Sequence, residues 1–232
     1  MTMTDLTKVI CFRSPFRLDV PVMRFIGYII LTVFQSMCSL FGYQTEESPR
    51  YSVVLQDGDR EIRSYESYIV ASTKVEGEFR EAQSRSFKKL AAYIFGSNVS
   101  RQSISITSPV TQSGEKKPEN ISMTSPVLQS QVGSSYVMSF MMPSKYSIDS
   151  LPKPIDSDIL FETVPKRQVA VIRYTWTGNA KRNSNKAIEL EDWLASLSKY
   201  KIQSAAMFAG YNPPWTIPFL RRNEMHIVVV EK

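Results

Sequence analysis

Residues that carry much of enzyme chemistry are scarce in this chain. Its 232 residues include one histidine, His226, and two cysteines, Cys11 and Cys38. Both cysteines precede residue 46, so the rest of the chain has no disulfide, thiolate zinc site or cysteine nucleophile. A single histidine far from any cysteine indicates no metal cluster, and no further candidate base accompanies it from which a catalytic triad could be assembled. We expect His226, in the strand-like segment Met225–Val230, to be a surface or edge residue.

Motifs for phosphate and nucleotide binding are also missing. The nine glycines form no glycine-rich phosphate loop and no strand–Gly-x-Gly–helix unit. Closely spaced carboxylates such as Glu76/Glu78 and Glu189/Glu191 are typical of solvated helix ends. The sequence therefore predicts no enzyme and assigns no catalytic and no metal-binding residue. An enzyme acting on small amphiphiles stays as the weakest alternative.

Charge and composition do not indicate a nucleic-acid partner. The formal net charge is +6, of which residues 1–45 contribute +2 and the remainder +4. A nucleic-acid-binding domain usually concentrates Lys and Arg on one face or helix, and this sequence shows no such cluster. With 43% hydrophobic and 22% charged residues, the composition is ordinary for a globular protein.

The chain before residue 46 differs in character from the rest. Phe25–Thr45 contains no charged residue and follows Arg24. About 20 such residues can span a bilayer, and an apolar run after a basic residue also suits a signal peptide. We predict that residues 1–45 are an N-terminal extension with a signal peptide or membrane anchor, and that 46–232 form one domain. Lipidation at Cys38 and a buried core helix are open alternatives.

That extension leads to an expectation about location. The domain should be membrane-anchored or exported, which means extracytoplasmic, and periplasmic in a bacterium. The membrane is then a partner through the N-terminal segment.

A seven-residue segment occurs twice. Ile104–Val110 and Ile121–Val127 share six of seven residues, and each alternates apolar and small polar residues before Ser-Pro. This alternation predicts strands with one buried face. Proline cannot donate to a sheet ladder, so it limits the pairing of each strand. The polar connection suggests a hairpin-like return.

Two helical patterns stand in a chain otherwise rich in strands. Apolar residues at three- and four-residue spacing predict helices over Phe79–Phe95 and Asn183–Tyr200, each after a strand and a glycine. The other predicted strands are Tyr51–Leu55, Glu61–Tyr65, Tyr68–Val75, Tyr136–Met141, Ile159–Val164, Gln168–Thr175, Lys201–Ala209 and Glu224–Val230. This order predicts an α+β fold of two pseudo-repeated halves, with an antiparallel, curled or barrel-like sheet and two helices packed on it.

Two motifs together resemble a known family. Met123-Thr-Ser-Pro-Val127 and Gly210-Tyr-Asn-Pro-Pro, followed by Arg221-Arg-Asn-Glu224, resemble the SOUL / haem-binding protein family. Tyr65-Glu66 and Met142-Pro-Ser-Lys-Tyr146 support the resemblance, which runs from about residue 51 to residue 230. It implies a distorted antiparallel β-barrel flanked by two helices, and a SOUL haem-binding-like domain over 46–232.

The resemblance also implies a binding site between the first helix and the proline-rich loop Tyr211–Leu220. Haem is a flat apolar ring with two carboxylates, so its site needs an apolar face and nearby cations. Phe87 and Trp215 would sandwich the ring, while Arg80 and Lys88 would meet the carboxylates. The positions that match the family's site are Arg80, Gln83, Phe87 and Lys88 on the helix and Trp215 and Thr216 on the loop.

These residues suit a non-catalytic carrier or buffer of a tetrapyrrole, haem or another porphyrin. No histidine stands near the helix, so we expect a weakly ligated, exchangeable complex. Each residue also has a structural interpretation: Phe87 in the core, Arg80 and Lys88 in solvent, and Trp215 as a packing plug. The alternative function is a structural, interaction or small-molecule sensor module that does not bind haem.

Overall fold

The sequence folds, in a computed structural model, into a curled antiparallel sheet with one helix on each half. The structure describes residues 46–100, 118–213 and 215–232, all within one compact unit. The predicted N-terminal extension, residues 1–45, and the first copy of the repeat, residues 104–110, lie outside the described residues.

The strands and helices follow one another in an order close to the predicted one. They are β1 (Tyr51–Asp57), β2 (Arg60–Tyr65), β3 (Tyr68–Glu76), α1 (Phe79–Ile94), β4 (Asn98–Val99), β5 (Val127–Val132), β6 (Ser135–Met141), β7 (Lys153–Pro154), β8 (Leu160–Val164), β9 (Arg167–Tyr174), α2 (Ala180–Ser196), β10 (Tyr200–Ile202), β11 (Met207–Gly210) and β12 (Asn223–Glu231). A 3₁₀ turn, Pro218–Leu220, precedes β12.

Most of the described strands join one antiparallel sheet. Its order is β1-β2-β9-β12-β11-β5-β6-β3-β8, with β10 paired to β12, and β4 and β7 form a separate short pair. The sheet curls into a half-barrel whose edges are β1 and β8. The predicted α+β fold with two helices on a barrel-like antiparallel sheet is confirmed. Within the described ranges, neither helix combines the length and apolarity that a membrane crossing requires.

Several predicted boundaries were wrong. Ile121–Val127 was predicted as a strand, but Thr124 forms only an isolated bridge with Glu47 and β5 begins at Val127. Pro126, which has no N–H, prevents an earlier start of the ladder. The second helix begins at Ala180, because the Asn179 side chain accepts a hydrogen bond from the Arg182 N–H and caps it.

The predicted strand Lys201–Ala209 is two strands instead of one. Ile202 pairs with Val229 and Met207 pairs with His226. Four residues therefore stand opposite two on β12, and residues 203–206 leave the ladder. At this point the Val228 N–H donates a hydrogen bond to the Ser204 hydroxyl. The irregular segment therefore still provides an acceptor for a backbone N–H of β12.

Each helix buries one stripe of residues over its own half of the sheet. The core beneath α1 contains Ala71, Leu90, Tyr93, Ile94, Met138, Phe140 and Met142. The core beneath α2 contains Ile62, Ala170, Ile172, Leu190, Trp193, Leu194, Met225 and Ile227. The two cores are separate clusters on one sheet, as the two predicted halves imply.

Candidate functional site

The two helices leave a strip of sheet between them. Helix α1 packs against β3 and β6, and α2 packs against β9, β10 and β12, while β5 and β11 lie between these groups. Gln129 pairs with Met138 on one side and Phe208 on the other, so all three point to the helix side. We call this strip the inter-helix groove; its floor is Val127, Gln129, Phe208 and Gly210.

The floor fits closely around Phe208. A Cβ placed on Gly178 would lie 2.8 Å from the Phe208 ring, and one placed on Gly210 would lie 3.2 Å from it. Glycine at both positions lets the ring lie directly against the backbone. The glycine that the sequence places before α2 thus makes room for the floor of the groove.

Three of the predicted site residues share one flank of α1. Arg80, Gln83 and Phe87 are spaced by three, four and seven residues, which places them on one side of a helix. The Phe87 ring lies 5.5 Å from that of Phe140 on β6, yet 38% of Phe87 is exposed. Since β6 neighbours β5, this flank borders the inter-helix groove. Phe87 is therefore an edge of the groove and not a fully buried core residue.

Lys88 lies away from that flank. Consecutive helical residues are turned by about 100°, and Lys88 lines a different cleft with Lys89, Ile155 and Asp156. There Lys89 forms an ion pair with Asp156 at 3.3 Å, close to β8 and on the far side of β3 from the groove. The structure separates Lys88 from Phe87 and its two companions.

The loop between β11 and β12 carries the other two predicted residues. Trp215 is 63% exposed, whereas Thr216 is 1% exposed, and the Thr216 carbonyl accepts a hydrogen bond from Arg221 Nε at 2.8 Å. The Phe219 ring lies 6.5 Å from that of Trp176, and both are exposed. The loop thus presents aromatic surface at Trp215 and Phe219 and turns Thr216 inward.

Sheet pairing shows how near this loop lies to α1. Gly210, from which the loop starts, pairs with Val127, and Val127 pairs with Phe140 beneath Phe87. Two strand spacings, about 10 Å, therefore separate the start of the loop from the strand under Phe87. The α1 flank and the loop stand on either side of the groove.

The other face of the sheet, inside the half-barrel, holds a buried charge cluster. Glu224 is completely buried and accepts two hydrogen bonds from the Arg63 guanidinium, at 2.9 and 3.1 Å. Arg222 Nη2 donates to the same carboxylate at 2.6 Å and the Tyr211 hydroxyl at 2.8 Å. His226 Nε2 lies 2.8 Å from Glu224 Oε2. Arg222 and Glu224, two residues apart in the C-terminal motif, thus form a partly buried ion pair.

Burial and charge act in opposite directions on this cluster. Burial by itself raises the pKa of Glu224, but His226 and Arg63 outweigh it and hold that pKa well below its usual range. Burial lowers the pKa of His226 below 6.5, and its hydrogen bond to Glu224 only partly opposes this. The imidazole is therefore neutral near pH 7, and the guanidiniums carry the positive charge that Glu224 needs.

His226 corrects one expectation. It was predicted as a surface or edge residue, but it is buried on a central strand. Alternation along β12 places it on the face opposite Met225, which packs beneath α2. His226 therefore points away from the groove. In the described parts of the chain, no group of three His, Cys, Asp or Glu side chains could hold a metal ion.

Two open clefts of about 660 and 670 Å³ lie elsewhere on the domain. The first is lined by the segment Glu47–Arg50 together with Tyr68, Met141 and Tyr146. The second runs along β2, β9 and β12. Neither cleft is lined by any of the six predicted site residues. Cleft volume alone therefore does not identify the predicted site.

Arg63 and Gln129 were missed by sequence reasoning. Arg63 lies between the buried Ile62 and the partly buried Ser64. In a strand that alternates apolar and polar residues, an arginine is normally predicted to face solvent. The one sequence signal for a buried charge cluster was the excess of cations near Glu224. It did not indicate that β2 supplies a partner for this carboxylate. Gln129 lies in the polar-looking run Leu128-Gln-Ser-Gln131, and no sequence signal distinguishes it from Gln131.

Comparison with known proteins agrees with the motifs. The family model of the SOUL heme-binding protein matches residues 46–228. Heme-binding protein 2 of Homo sapiens is 30% identical over 169 residues, which cover 72% of this chain and 76% of that protein. Heme-binding protein 2 of Mus musculus is 28% identical and covers 75% of this chain and 79% of that protein.

Solved structures give the same picture of the fold. The EcmrR–DNA complex superposes with a TM-score of 0.51 at 11% identity, over 90% of this chain and 65% of that chain. Identity this low shows similarity of fold alone. The family model, by contrast, spans most of the chain, as do the curated relatives. The chain belongs to the SOUL heme-binding protein family.

Proposed function

We propose that this domain binds haem or another porphyrin reversibly in the inter-helix groove, as a non-catalytic carrier or buffer. The observation that carries the proposal is Phe87, which is 38% exposed beside β5 and β11, the strands that lie between the two helices. Membership of a family described as heme-binding, and relatives named Heme-binding protein 2, support the ligand class.

The residues around the groove fit a flat apolar ring with carboxylates. Phe87 and the floor residues Val127 and Phe208 offer one apolar face, and Trp215 can close over the ring from the loop. Arg80 is exposed on the same flank as Phe87 and can meet a propionate. A bound haem would be held by apolar contacts with its ring and by cations at its carboxylates. His226 points to the opposite face of the sheet and so cannot ligate the iron. We therefore expect an exchangeable complex.

Titration with hemin tests the site through two matched variants. Arg80→Ala and Lys88→Ala remove equal charge from the same helix, but only Arg80 borders the groove. We expect Arg80→Ala and Phe87→Ala each to raise the dissociation constant about tenfold, or ~1.4 kcal/mol, and Lys88→Ala to change it less than twofold. The Soret absorbance reports binding, and thermal melting confirms that each variant is folded.

Two results would contradict the proposal in different ways. If the wild-type domain gives no saturable Soret shift at micromolar concentration, tetrapyrrole binding fails and an interaction or sensor module remains. If hemin binds but Arg80→Ala and Lys88→Ala behave alike, the ligand is held somewhere other than the groove.

We also propose that residues 1–45 tether the domain to a membrane or direct its export. The support is the uncharged run Phe25–Thr45 after Arg24, which has the length of a membrane span or signal segment. Expression of the full chain and of a variant that starts at residue 46 tests this. We expect the full chain in the membrane or extracytoplasmic fraction and the shorter variant in the cytosol. Full-length protein in the cytosol with Met1 intact would refute it.

A further inference from the structure

The floor of the inter-helix groove contains an amide with no partner. Gln129 is 4% exposed, and in the described part of the chain neither its Oε1 nor its Nε2 has a hydrogen-bond partner. A buried polar group without partners costs folding free energy, and native proteins rarely keep one. The unpaired amide of Gln129 therefore calls for an explanation.

The place of Gln129 distinguishes it from other orphaned groups. The hydroxyls of Thr73 and Ser86 also lack partners. Thr73 lies on the same row of paired residues, beyond Met138, on a strand beneath α1, and Ser86 lies on the buried face of α1 itself. Gln129 instead lies on β5, the strand between the helices. Of these three orphaned side chains, it is the one on the groove floor.

A primary amide offers a donor and an acceptor side by side. A lactam offers the complementary pair, a C=O and an N–H on the same edge, so one lactam satisfies both Gln129 atoms with two parallel hydrogen bonds. A carboxylate accepts only from Nε2 and leaves Oε1 without a donor. The edge of a porphyrin macrocycle carries carboxylates and apolar groups, whereas an open-chain tetrapyrrole ends in lactam rings.

We propose that Gln129 forms paired hydrogen bonds with a lactam of the ligand, and that the groove prefers open-chain tetrapyrroles to closed porphyrins. This inference rests on the proposed function and names the ligand class of the same site. It agrees with the position of His226, whose ring lies on the other face of the sheet, so the groove gains no iron ligand from the histidine of this chain.

Biliverdin and protoporphyrin IX form a matched pair of probes. Both carry two propionates and no iron, and only biliverdin has lactams. We expect the wild-type domain to bind biliverdin about tenfold more tightly, and Gln129→Leu to weaken biliverdin about tenfold while changing protoporphyrin IX less than twofold. Absorbance titration measures both affinities. Gln129→Met, which keeps an unbranched side chain, serves as a second variant if Gln129→Leu folds poorly.

Thr73→Val is the control, because it removes an orphaned buried hydroxyl outside the groove. It should raise the melting temperature without changing either affinity, while Gln129→Leu should raise the melting temperature and weaken biliverdin. If Gln129→Leu weakens the binding of both ligands equally, or does not weaken that of biliverdin, the lactam contact is refuted. The proposal that the domain binds tetrapyrroles would still stand. Wild-type domain that binds neither probe nor hemin refutes the proposed function itself.

Discussion

Replacing Arg63 by methionine should lower the free energy of unfolding by about 3–5 kcal/mol, because it leaves the buried Glu224 without its bidentate partner. Arg63 and Glu224 have side chains that are 3% and 0% exposed, so water cannot replace the lost charge. Urea denaturation of the two proteins at pH 8 measures the difference. The fold itself should persist, since methionine fills the space of the aliphatic stem.

The destabilisation caused by the same substitution should depend on pH through His226. Arg63 is one of the charges that lower the pKa of His226, so its removal raises the folded-state pKa. Protonated His226 then supplies positive charge to Glu224 at low pH, and this contribution is lost as the pH rises through the new pKa. The penalty of Arg63→Met should therefore shrink as the pH falls, which urea denaturation at several pH values measures.

The double variant Arg63→Met, Glu224→Gln is the control for this interpretation. It removes the negative charge that Arg222 alone would then have to compensate, so it should be more stable than Arg63→Met alone. A loss below about 1 kcal/mol in the single variant, or a double variant that is less stable still, would show that Arg63 contributes packing and not charge compensation.

The sequence predicted the helices and most strands because the periodic spacing of their apolar residues matches the faces that are buried in the structure. Phe79–Phe95 and Tyr136–Met141 follow local patterns that tertiary contacts reinforce. The errors occur where individual residues, and not a periodic pattern, determine where a strand begins or is interrupted. Pro126 shifts the start of β5 to Val127, and the four residues 203–206, which leave the ladder opposite Ile227 and Val228, divide the predicted strand Lys201–Ala209.

The candidate site was less predictable than the fold. The six positions taken from the resemblance stay a prediction: Arg80, Gln83 and Phe87 share one flank of α1, whereas Lys88, turned by about 100° from Phe87, lines another cleft. Gln129 could not be found, since its importance depends on which strands lie between the two helices. Sheet order of this kind is set by long-range pairing and has no signature in the local sequence.

The separation of the two cores leads to a second large effect. Leu90→Ala beneath α1 and Leu190→Ala beneath α2 each remove a fully buried side chain and should each cost about 2–5 kcal/mol. The clusters share no buried residue, so the double variant should lose the sum of both to within ~0.5 kcal/mol. Denaturant unfolding of the four proteins gives this cycle. A deviation above about 1 kcal/mol would show that the cores are coupled through the sheet.

Hemin titration of the same pair then connects packing with function. Both variants make the same chemical change in a helix core, but α1 carries Arg80, Gln83 and Phe87, and α2 carries none of the predicted residues. A cavity under Leu90 lets α1 shift against β6 and moves Phe87 relative to the groove, so Leu90→Ala should weaken hemin binding more than Leu190→Ala does. Equal weakening would mean that the position of α1 does not control the site.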